Sequence, residues 1–585
     1  MLRVSRGGAG LAGGVAALLV IVPIVLGGFD TFVATNALIT AVAVMGLGVV
    51  TGRAGMISLC QVAFMAIGAW VLLWLQLHVH AVPFIVDVLI AGLVALVFGV
   101  LVGLPALRLR GVHLALMTLA FAATVDVVLN AVGFPGGSVG FSVLPPSWIS
   151  SPRDYFWFCA VIFAVLAIGI AWLNRTRVGA SWSAVRNSER GAAALGRGVA
   201  RTKLTAFGVS ALCGGLAGAL LVGLIGTASE TSFPPVNSLV LFALAILVGA
   251  RYLEGALLGG FFFAWIPVFL SDLSIPQDVS NLLFAVGAVA GLRGGFGAAE
   301  GIRQAVQARA RRRREKRKGA APARTQARHA PRTAAAANRG PVSAGGHGAA
   351  LEVRELTCHY GQVRALASVS MTVEPGTVAA LIGPNGAGKS TFIDCVTGFV
   401  RSYSGSITVA GSLLDGLAPH VRATRGVRRT FQQDRTVPDL TIEEYMRLAV
   451  GAGSARLSPA ELASVLSFFD CPAGDWRVGE VDVGTRRLIE VAAAVAARPS
   501  VVLLDEPAAG LAGAESMRLA ARVAEIPSRF GSAVLLVEHD MELVTAAASH
   551  IVVLDFGQVI AAGPPTDVMA HDLVVSAYLG QEFVA

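Results

Sequence analysis

Nine consecutive residues late in the chain have the types and the spacing needed to hold the phosphates of a nucleotide. The sequence GPNGAGKST, Gly383–Thr391, fits the pattern G-x-x-x-x-G-K-[ST]. The apolar run at 378–382 predicts a buried strand before it, and 391–396 predicts the first turns of a helix after it. Glycines let the backbone wrap closely around phosphate oxygens, and a helix N-terminus adds a positive field. The stretch is therefore predicted to be a phosphate-binding loop.

The individual residues of this loop suit ATP and Mg²⁺ as cofactors. We expect Lys389 to reach the β- and γ-phosphates and the Ser390 hydroxyl to hold Mg²⁺. The loop residues expected to contact the nucleotide are Gly383, Pro384, Asn385, Gly386, Ala387, Gly388, Lys389, Ser390 and Thr391.

Two more apolar runs end in residues that would complete such a site. The run at 501–504 predicts a buried strand that ends in Asp505 and Glu506. Asp505 is expected to hold Mg²⁺, and Glu506 is expected to polarise the water that attacks the nucleotide. The run at 534–537 predicts a second buried strand, and His539, two residues beyond it, is placed to contact the γ-phosphate. The late part of the chain is therefore predicted to be an α/β ATPase domain.

The composition of the whole chain is more apolar than that of a soluble ATPase domain. Of the 585 residues 55% are hydrophobic and only 14% are charged, so the apolar excess must lie before the ATPase part. The net charge of +9 is also uneven, because 301–350 hold 13 Lys and Arg against one acidic residue, while 351–585 hold 18 against 26. A nucleic-acid partner is therefore not expected, since the basic excess lies in one short segment.

Apolar runs of about 20 residues, the length that crosses a bilayer, recur through residues 1–300. The candidate spans are 9–28, 31–51, 56–77, 83–106, 113–133, 155–173, 204–226, 236–270 and 277–292. The run at 236–270 could be two segments or one broken one, and we expect about eight or nine spans in total. We expect a polytopic α-helical domain in the cytoplasmic membrane whose first helix is retained rather than cleaved as a signal peptide.

Two basic segments lie outside the predicted spans. Residues 174–203 carry seven basic residues against a lone Glu189, which places this loop on the cytoplasmic side. Within it, 179–196 can form short amphipathic helices, either as a solvated loop or as a docking helix that touches an ATPase domain. Residues 301–350 contain RARRRREKRK and then Ala-, Pro- and Arg-rich sequence, which predicts a disordered linker near anionic lipid.

Several stretches resemble two subunits of bacterial branched-chain amino acid ABC importers. Residues 35–275 resemble the second permease subunit, through TGRAGMISLCQVAFMAIGAW, LPALRLRGVHLALMTLAFA, FPGGSVGF, VRNSERGAAALG and KLTAFGVSALCGGLAGAL. Residues 351–582 resemble the first ATP-binding subunit, through LLDEPAAGL, LLVEHDM and VIAAGPPTDVMAHDLVVSAYLG. The resemblance implies that the basic loop at 174–203 holds the docking helix.

The resemblance implies a division into a transmembrane permease domain at 1–300, the linker at 301–350 and an ABC ATP-binding domain at 351–585. The expected function is ATP-driven uptake of branched-chain amino acids by a fused permease and ATPase subunit. A urea or short-amide importer and a membrane-anchored ATPase that regulates without transporting remain open. The expected partners are a second permease subunit, a second ATP-binding subunit, an external solute-binding protein and a small-molecule substrate, with the ATPase domain in the cytoplasm.

Further site residues follow from the same resemblance. Residues 351–356 alternate as an edge strand, and Tyr360 after it stands where such cassettes stack an aromatic ring on adenine. Gln432, in RTFQQ, stands where a glutamine contacts Mg²⁺ or the attacking water and links to the membrane domain.

The chain departs from the family pattern in two places. Residues 248–255 hold bulkier and charged residues where the family has a glycine-rich stretch. In the signature region, Val481–Thr485, the serine position holds Asp482 and the glutamine position holds Thr485, although Gly484 remains. A carboxylate facing a triphosphate would repel it. We therefore expect an asymmetric pair of ATP sites, in which the site completed by Asp482 is weak.

Overall fold

The computed structural model describes residues 20–79, 82–135, 142–276, 278–294, 297–301, 349–451, 457–511 and 513–579. These residues form two units. One contains the described residues up to 182 and from 200 to 301, and the other contains 183–199 together with 349–579. Residues 302–348 of the predicted linker at 301–350, most of the first candidate span at 9–28 and most of the loop FPGGSVGF lie outside the described residues.

The first unit consists of helices connected by short loops. They are α1 Gly28–Leu47, α2 Gln61–His78, α3 Phe84–Ala106, α4 Gly111–Val132, α5 Pro152–Arg175, α6 Arg177–Asn187, α7 Glu189–Ala194, α8 Val199–Ile225, α9 Val236–Val248, α10 Leu253–Asp272 and α11 Asp278–Gly294, of which α7 and the end of α6 belong to the second unit. Within the described ranges, seven helices are long and apolar enough to cross a membrane, and α9 and α11 contain shorter apolar stretches. The run at 236–270 is two segments, α9 and α10, and the total of eight or nine spans stays a prediction.

Glycines allow the helices of this unit to approach closely. A Cβ atom on Gly218 of α8 would lie 1.8 Å from the Met65 carbonyl oxygen of α2. A Cβ atom on Gly215 would lie 2.4 Å from the Ala95 side chain of α3. Side chains at these positions would force the helices apart, so α8 packs between α2 and α3 through a face of small residues.

The stretch that departs from the family pattern packs against a break in the first described span. Helix α1 continues as a π-helical turn, Gly48–Arg53, before an irregular segment leads to α2. A Cβ atom on Gly48 would lie 2.0 Å from the Ala250 carbonyl oxygen, and one on Gly52 would lie 2.9 Å from the Arg251 Cα atom. The bulkier residues at 248–255 are therefore accommodated because glycines face them.

The second unit has two sheets. Its elements are β1 Leu351–Tyr360, β2 Val363–Val373, β3 Val378–Ile382, α12 Lys389–Thr397, β4 Tyr403–Val409, β5 Ser412–Leu413, α13 Pro419–Thr424, β6 Val427–Arg429, α14 Ile442–Val450, α15 Pro459–Phe468, α16 Val483–Ala496, β7 Val501–Asp505, α17 Gly513–Phe530, β8 Ala533–Val537, α18 Met541–Ala547, β9 His550–Asp555, β10 Gln558–Gly563, α19 Pro565–Met569 and α20 Asp572–Leu579. The larger sheet has the order β10-β9-β3-β8-β7-β6, and the smaller one has the order β2-β1-β4-β5.

The larger sheet is parallel from β9 to β6, and every residue of β3, β7 and β8 is buried. Continuous apolar runs such as VAALI, VVLLD and AVLLV form strands of this kind because both faces of the sheet are covered. The smaller sheet is antiparallel, and β1 lies between β2 and β4. The prediction of an edge strand at 351–356 is therefore wrong. The alternation of apolar and polar residues arises because one face of the strand is exposed, not because one edge is unpaired.

Candidate functional site

The predicted phosphate-binding loop joins β3 to α12, as the motif requires. Gly383 and Gly388 have φ angles of 148° and 103°, which side-chain-bearing residues rarely adopt. A Cβ atom at Gly383 would also lie 2.0 Å from the Leu554 carbonyl oxygen. The Lys389 ammonium donates hydrogen bonds to the carbonyl oxygens of Gly383, at 2.6 Å, and Pro384, at 2.9 Å. The lysine therefore closes over its own loop.

The two acidic residues after β7 have different surroundings. Asp505 is buried at the strand end, where burial raises the pKa of its carboxyl and the nearby Arg429 opposes that rise. Glu506 is partly exposed and adopts a φ angle of 46°, and its amide donates to the Val537 carbonyl oxygen at 2.8 Å. The Gln432 side-chain amide donates to Glu506 Oε2 at 2.8 Å. The structure thus brings Gln432 and Glu506 together beside Asp505.

Lys389 lies near this acidic pair. Burial lowers the pKa of Lys389, while the negative charges of Glu506 and Asp505 oppose that change. Strand order explains the proximity, because β3, β8 and β7 are neighbouring parallel strands whose carboxyl ends share one edge of the sheet. The residues predicted separately at 389, 505 and 506 therefore face one site.

The donor set at this edge suits Mg²⁺. Ser390 is exposed at the start of α12, Asp505 ends β7 and the exposed Gln432 follows β6, which together offer a hydroxyl, a carboxylate and an amide oxygen. Hard oxygen donors of this kind are the ligands that Mg²⁺ prefers.

Tyr360 and His539 border the site in different ways. Tyr360 is the last residue of β1 and half exposed, and burial raises the pKa of its hydroxyl while a hydrogen bond with Thr391 of α12 opposes that rise. The His539 side chain is 72% exposed, and its Nδ1 atom lies 3.7 Å from Glu538 Oε2. Glu538 is buried and accepts hydrogen bonds from the backbone amides of Ala508 and His539. It therefore fixes the backbone at His539.

The altered signature lies at the start of α16. The exposed Asp482 caps this helix, because its Oδ1 accepts from the Thr485 amide at 2.8 Å and its Oδ2 accepts from the Thr485 hydroxyl at 2.6 Å. These hydrogen bonds lower the pKa of the Asp482 carboxyl, which keeps it ionised at neutral pH. The structure therefore assigns this aspartate a local role, as a helix cap, that its sequence position alone did not reveal.

Residues 183–199, here called the docking segment, pack with the ATPase domain within the second unit. It contains the end of α6 and all of α7, which confirms the predicted short helices. At its start, the Asn187 amide donates to the Thr436 carbonyl oxygen, and Arg435 donates to the Ser188 hydroxyl at 3.0 Å. These contacts confirm that the basic loop touches the ATPase domain.

Two arginines hold the other end of the docking segment against α14. The Arg428 guanidinium donates to the carbonyl oxygens of Ala194, at 3.0 Å, and Ala449, at 2.8 Å. Arg197 donates to the Leu448 carbonyl oxygen at 2.7 Å. Because the last carbonyls of a helix have no partner within it, the C-terminus of α14 is a ready acceptor for these side chains.

Comparisons with known proteins agree with this division of the chain. A family model described as the permease component of the branched-chain amino acid transport system matches residues 29–290, and an ABC transporter model matches residues 366–509. The high-affinity branched-chain amino acid transport ATP-binding protein BraF of Pseudomonas aeruginosa is 36% identical over 251 residues, which cover 40% of this chain and 98% of that protein. The chain belongs to the ABC transporter family.

A second curated relative supports the same assignment of the ATPase domain. The corresponding ATP-binding protein LivG of Escherichia coli K12 is 32% identical over 249 residues, covering 40% of this chain and 98% of that protein. A solved nucleotide-free ATP-binding cassette from an ABC transporter is 26% identical and matches 40% of this chain and 99% of that chain, with a TM-score of 0.35. The predicted fusion of a multi-pass permease domain with an α/β ABC ATPase that couples ATP hydrolysis to transport is thereby confirmed.

Two aspartates within apolar helices of the permease domain, Asp87 of α3 and Asp126 of α4, have different surroundings. Asp87 is fully buried and accepts a hydrogen bond from Gln76. Asp126 lies on the inward face of α4 and lines a cavity of about 270 Å³ together with the stacked rings of Phe134 and Phe233. Of these two aspartates, Asp126 is therefore the one that borders a cavity.

Sequence reasoning did not assign three polar residues that contact Asp505 or the segment leading to Gln432. Arg429 and Thr430 stand at the end of β6, and both contact Asp505. The Arg429 guanidinium donates to the Asp505 carboxylate at 2.9 Å, and the Asp505 amide donates to the Thr430 hydroxyl at 3.2 Å. Glu490 of α16 is buried and accepts from the Phe431 amide at 3.1 Å, and burial raises its pKa to about 8. Sequence carries no signal that could have found Arg429 and Thr430, because their contact with Asp505 depends on the pairing of β6 with β7 in the folded sheet.

Proposed function

We propose that the chain is the fused permease and ATPase subunit of an importer that uses ATP hydrolysis to take up branched-chain, hydrophobic amino acids. The observation that carries this proposal is that both halves of one chain independently match components of the same transport system. The relatives do not favour urea or short amides as the substrate, and they do not favour a regulator without transport activity. The docking segment packs with the ATPase domain, which supports its proposed role as the mechanical link that a transporter needs between its ATPase and its membrane pathway.

In the proposed ATP site, the loop at 383–391 wraps the phosphates and the N-terminus of α12 faces them. Lys389 leaves its carbonyl partners and pairs with the β- and γ-phosphates. Ser390, Asp505 and Gln432 would hold Mg²⁺, which when bound would offset the charge of the phosphate oxygens. The present hydrogen bonds of Lys389 keep its charge partly satisfied until ATP arrives.

Glu506 is the proposed general base of hydrolysis. Its carboxylate is partly exposed and held by Gln432 at 2.8 Å, so it can accept a proton from a water molecule beside the γ-phosphate. His539 is proposed to contact the γ-phosphate, because its exposed side chain is free to swing toward the site from the end of β8. Gln432 joins this group to the neighbourhood of the docking segment through Phe431 and Arg435.

The complete importer is proposed to contain a second permease subunit, a second ATP-binding subunit and an external solute-binding protein. The partner cassette's signature would complete the site of Lys389, whereas Asp482 of this chain would face the partner's nucleotide. The proposal of an asymmetric pair rests on the exposure of Asp482 and on the ionised state that its hydrogen bonds with Thr485 favour.

Replacing Tyr360 by alanine is expected to weaken ATP affinity by about two- to tenfold, the effect of losing one aromatic stacking contact. The ring lies at the end of β1 beside Thr391, next to the phosphate-binding loop. Tyr360→Phe is the matched control, because it keeps the ring and removes only the hydroxyl. Titration of the full chain with a fluorescent ATP analogue gives both affinities, and equal losses for the two variants would contradict stacking.

Uptake by proteoliposomes that contain the assembled complex tests the proposed function. With ATP in the cytoplasmic compartment and the solute-binding protein outside, labelled leucine, isoleucine and valine should accumulate, whereas urea and acetamide should not. Lys389→Ala serves as the inactive control, since it removes the phosphate-binding ammonium. Accumulation of urea instead would overturn the substrate assignment, and ATPase activity without any uptake would overturn the transporter itself.

A further inference from the structure

Four charged residues form a continuous chain from the docking segment to Asp505. Arg190 Nη1 of the docking segment lies 3.4 Å from Asp394 Oδ2 of α12. The other oxygen of Asp394 accepts a hydrogen bond from Arg429 Nη1, and Arg429 Nη2 donates to Asp505 Oδ2 at 2.9 Å. Cations and carboxylates therefore alternate along a path that runs through the phosphate-loop helix and does not include Gln432.

The two residues of this chain nearest the ATP site, Arg429 and Asp505, are much more buried than Arg190. The exposed fraction of the side chain is 49% for Arg190, 15% for Asp394, 6% for Arg429 and 9% for Asp505. The inner pairs are shielded from water, so their geometry is fixed more firmly than that of an exposed ion pair. The outer pair is the one that solvent, or movement of the docking segment, can break.

Aromatic rings hold the two arginines in place. The Arg429 guanidinium lies 4.7 Å from the Phe431 ring centroid and 5.9 Å from that of Phe399. Arg190 lies over the same Phe399 ring at 5.2 Å. A planar guanidinium can stack and donate in two directions at once, which the point charge of a lysine cannot do.

We propose that Arg429 is a positioning residue for Asp505 and that Arg190 communicates docking to it through Asp394. Arg429 is shared between two carboxylates. While Arg190 pairs with Asp394, Arg429 remains available to hold Asp505; when the docking segment withdraws, Asp394 has lost one cation and draws Arg429 toward itself. Docking thereby sets how firmly the magnesium-holding carboxylate is oriented. The inference rests on the proposed function, because it assumes that Asp505 holds Mg²⁺.

The Arg429→Lys variant of the full chain tests the positioning role. Affinity for MgATP is expected to fall at least about tenfold, as for other partners that orient a metal ligand. Affinity for ATP in excess EDTA should stay within about twofold of wild type, because the phosphate-binding loop is untouched. Equal losses with and without Mg²⁺ would show a merely structural role and overturn the proposal. Arg447→Lys, in an exposed ion pair with Glu443, is the matched control.

Asp394→Asn tests the relay by itself and keeps the proposal open to test if Arg429→Lys fails to fold, as thermal unfolding would reveal. It removes the charge that competes for Arg429 and leaves the Arg429–Asp505 pair intact. The MgATP affinity of this variant should therefore no longer change when Arg190 of the docking segment is replaced. If replacing Arg190 weakened MgATP binding as much in the Asp394→Asn variant as in wild type, the relay would be contradicted.

A double-mutant cycle tests the link to the docking segment. Arg190→Met alone should weaken MgATP binding about two- to fivefold, the size expected for an exposed ion pair. In the Asp394→Asn background the same change should have no further effect, whereas additive effects would overturn the relay. If wild-type binding itself shows no dependence on Mg²⁺, the proposed role of Asp505 fails instead, so the two failures are distinguishable.

Discussion

Replacing Glu506 by glutamine is expected to lower ATP hydrolysis by the assembled transporter about 10²- to 10⁴-fold while ATP binding is retained, because a general base contributes about that factor. Glutamine has nearly the shape of glutamate and can still form a hydrogen bond with Gln432, which now donates to Glu506 at 2.8 Å. The φ angle of 46° at this residue also stays as acceptable as before, since neither side chain is branched at Cβ. The change therefore removes the proton acceptor and little else.

Two measurements separate this result from a folding defect. Hydrolysis is followed at saturating MgATP, and binding is followed with a fluorescent ATP analogue. Glu515→Gln is the matched control, because it removes a carboxylate from the exposed face of α17, where the pair with Arg518 spans 3.8 Å. Residual hydrolysis near half of the wild-type rate would contradict the prediction, since it would mean that the site completed by Asp482 turns over by itself.

The parts of this site that the sequence predicts are those in which one local segment carries the whole signal. The glycines of the loop at 383–391 indicate its backbone conformation, and the strand before it is a continuous apolar run. Asp505 and Glu506 likewise follow directly on β7. Parallel strands then bring these ends to one edge of the sheet whatever their order, which is why residues 116 positions apart could be assigned to one site.

Residues whose role depends on strand order or on packing could not be assigned in this way. Arg429 contacts Asp505 because β6 lies directly beside β7, and nothing in the sequence RTFQQ specifies that neighbour. The basic loop shows the same limit. Its charge placed it in the cytoplasm, but a solvated arginine and one that caps a helix terminus have the same sequence signature, and only packing distinguished Arg197 and Arg190 by their partners.

The altered signature is a case in which the structure sharpens an expectation drawn from sequence. Asp482 was expected only to repel a triphosphate, but it also caps α16 through two hydrogen bonds with Thr485. A negative charge at a helix N-terminus is locally favourable, so the residue stabilises its own helix. The same hydrogen bonds lower the pKa of the carboxyl, so its charge persists at neutral pH. The ionised carboxylate of Asp482 is therefore expected both to stabilise α16 and to repel the partner's nucleotide.

Asp482→Ser is expected to raise the ATPase activity of the reconstituted complex and to strengthen ATP binding at the second site by about tenfold or more, since unfavourable like charges at an interface cost several kcal/mol. Serine caps helices as well as aspartate does, so the stability of α16 should be unchanged. Asp482→Asn, which also keeps the cap and removes the charge, should have the same effect, whereas Asp482→Glu should not. Steady-state hydrolysis and the number of ATP molecules bound per complex measure both outcomes. Unchanged hydrolysis and stoichiometry in both neutral variants would show that the carboxylate of Asp482 does not weaken the second site.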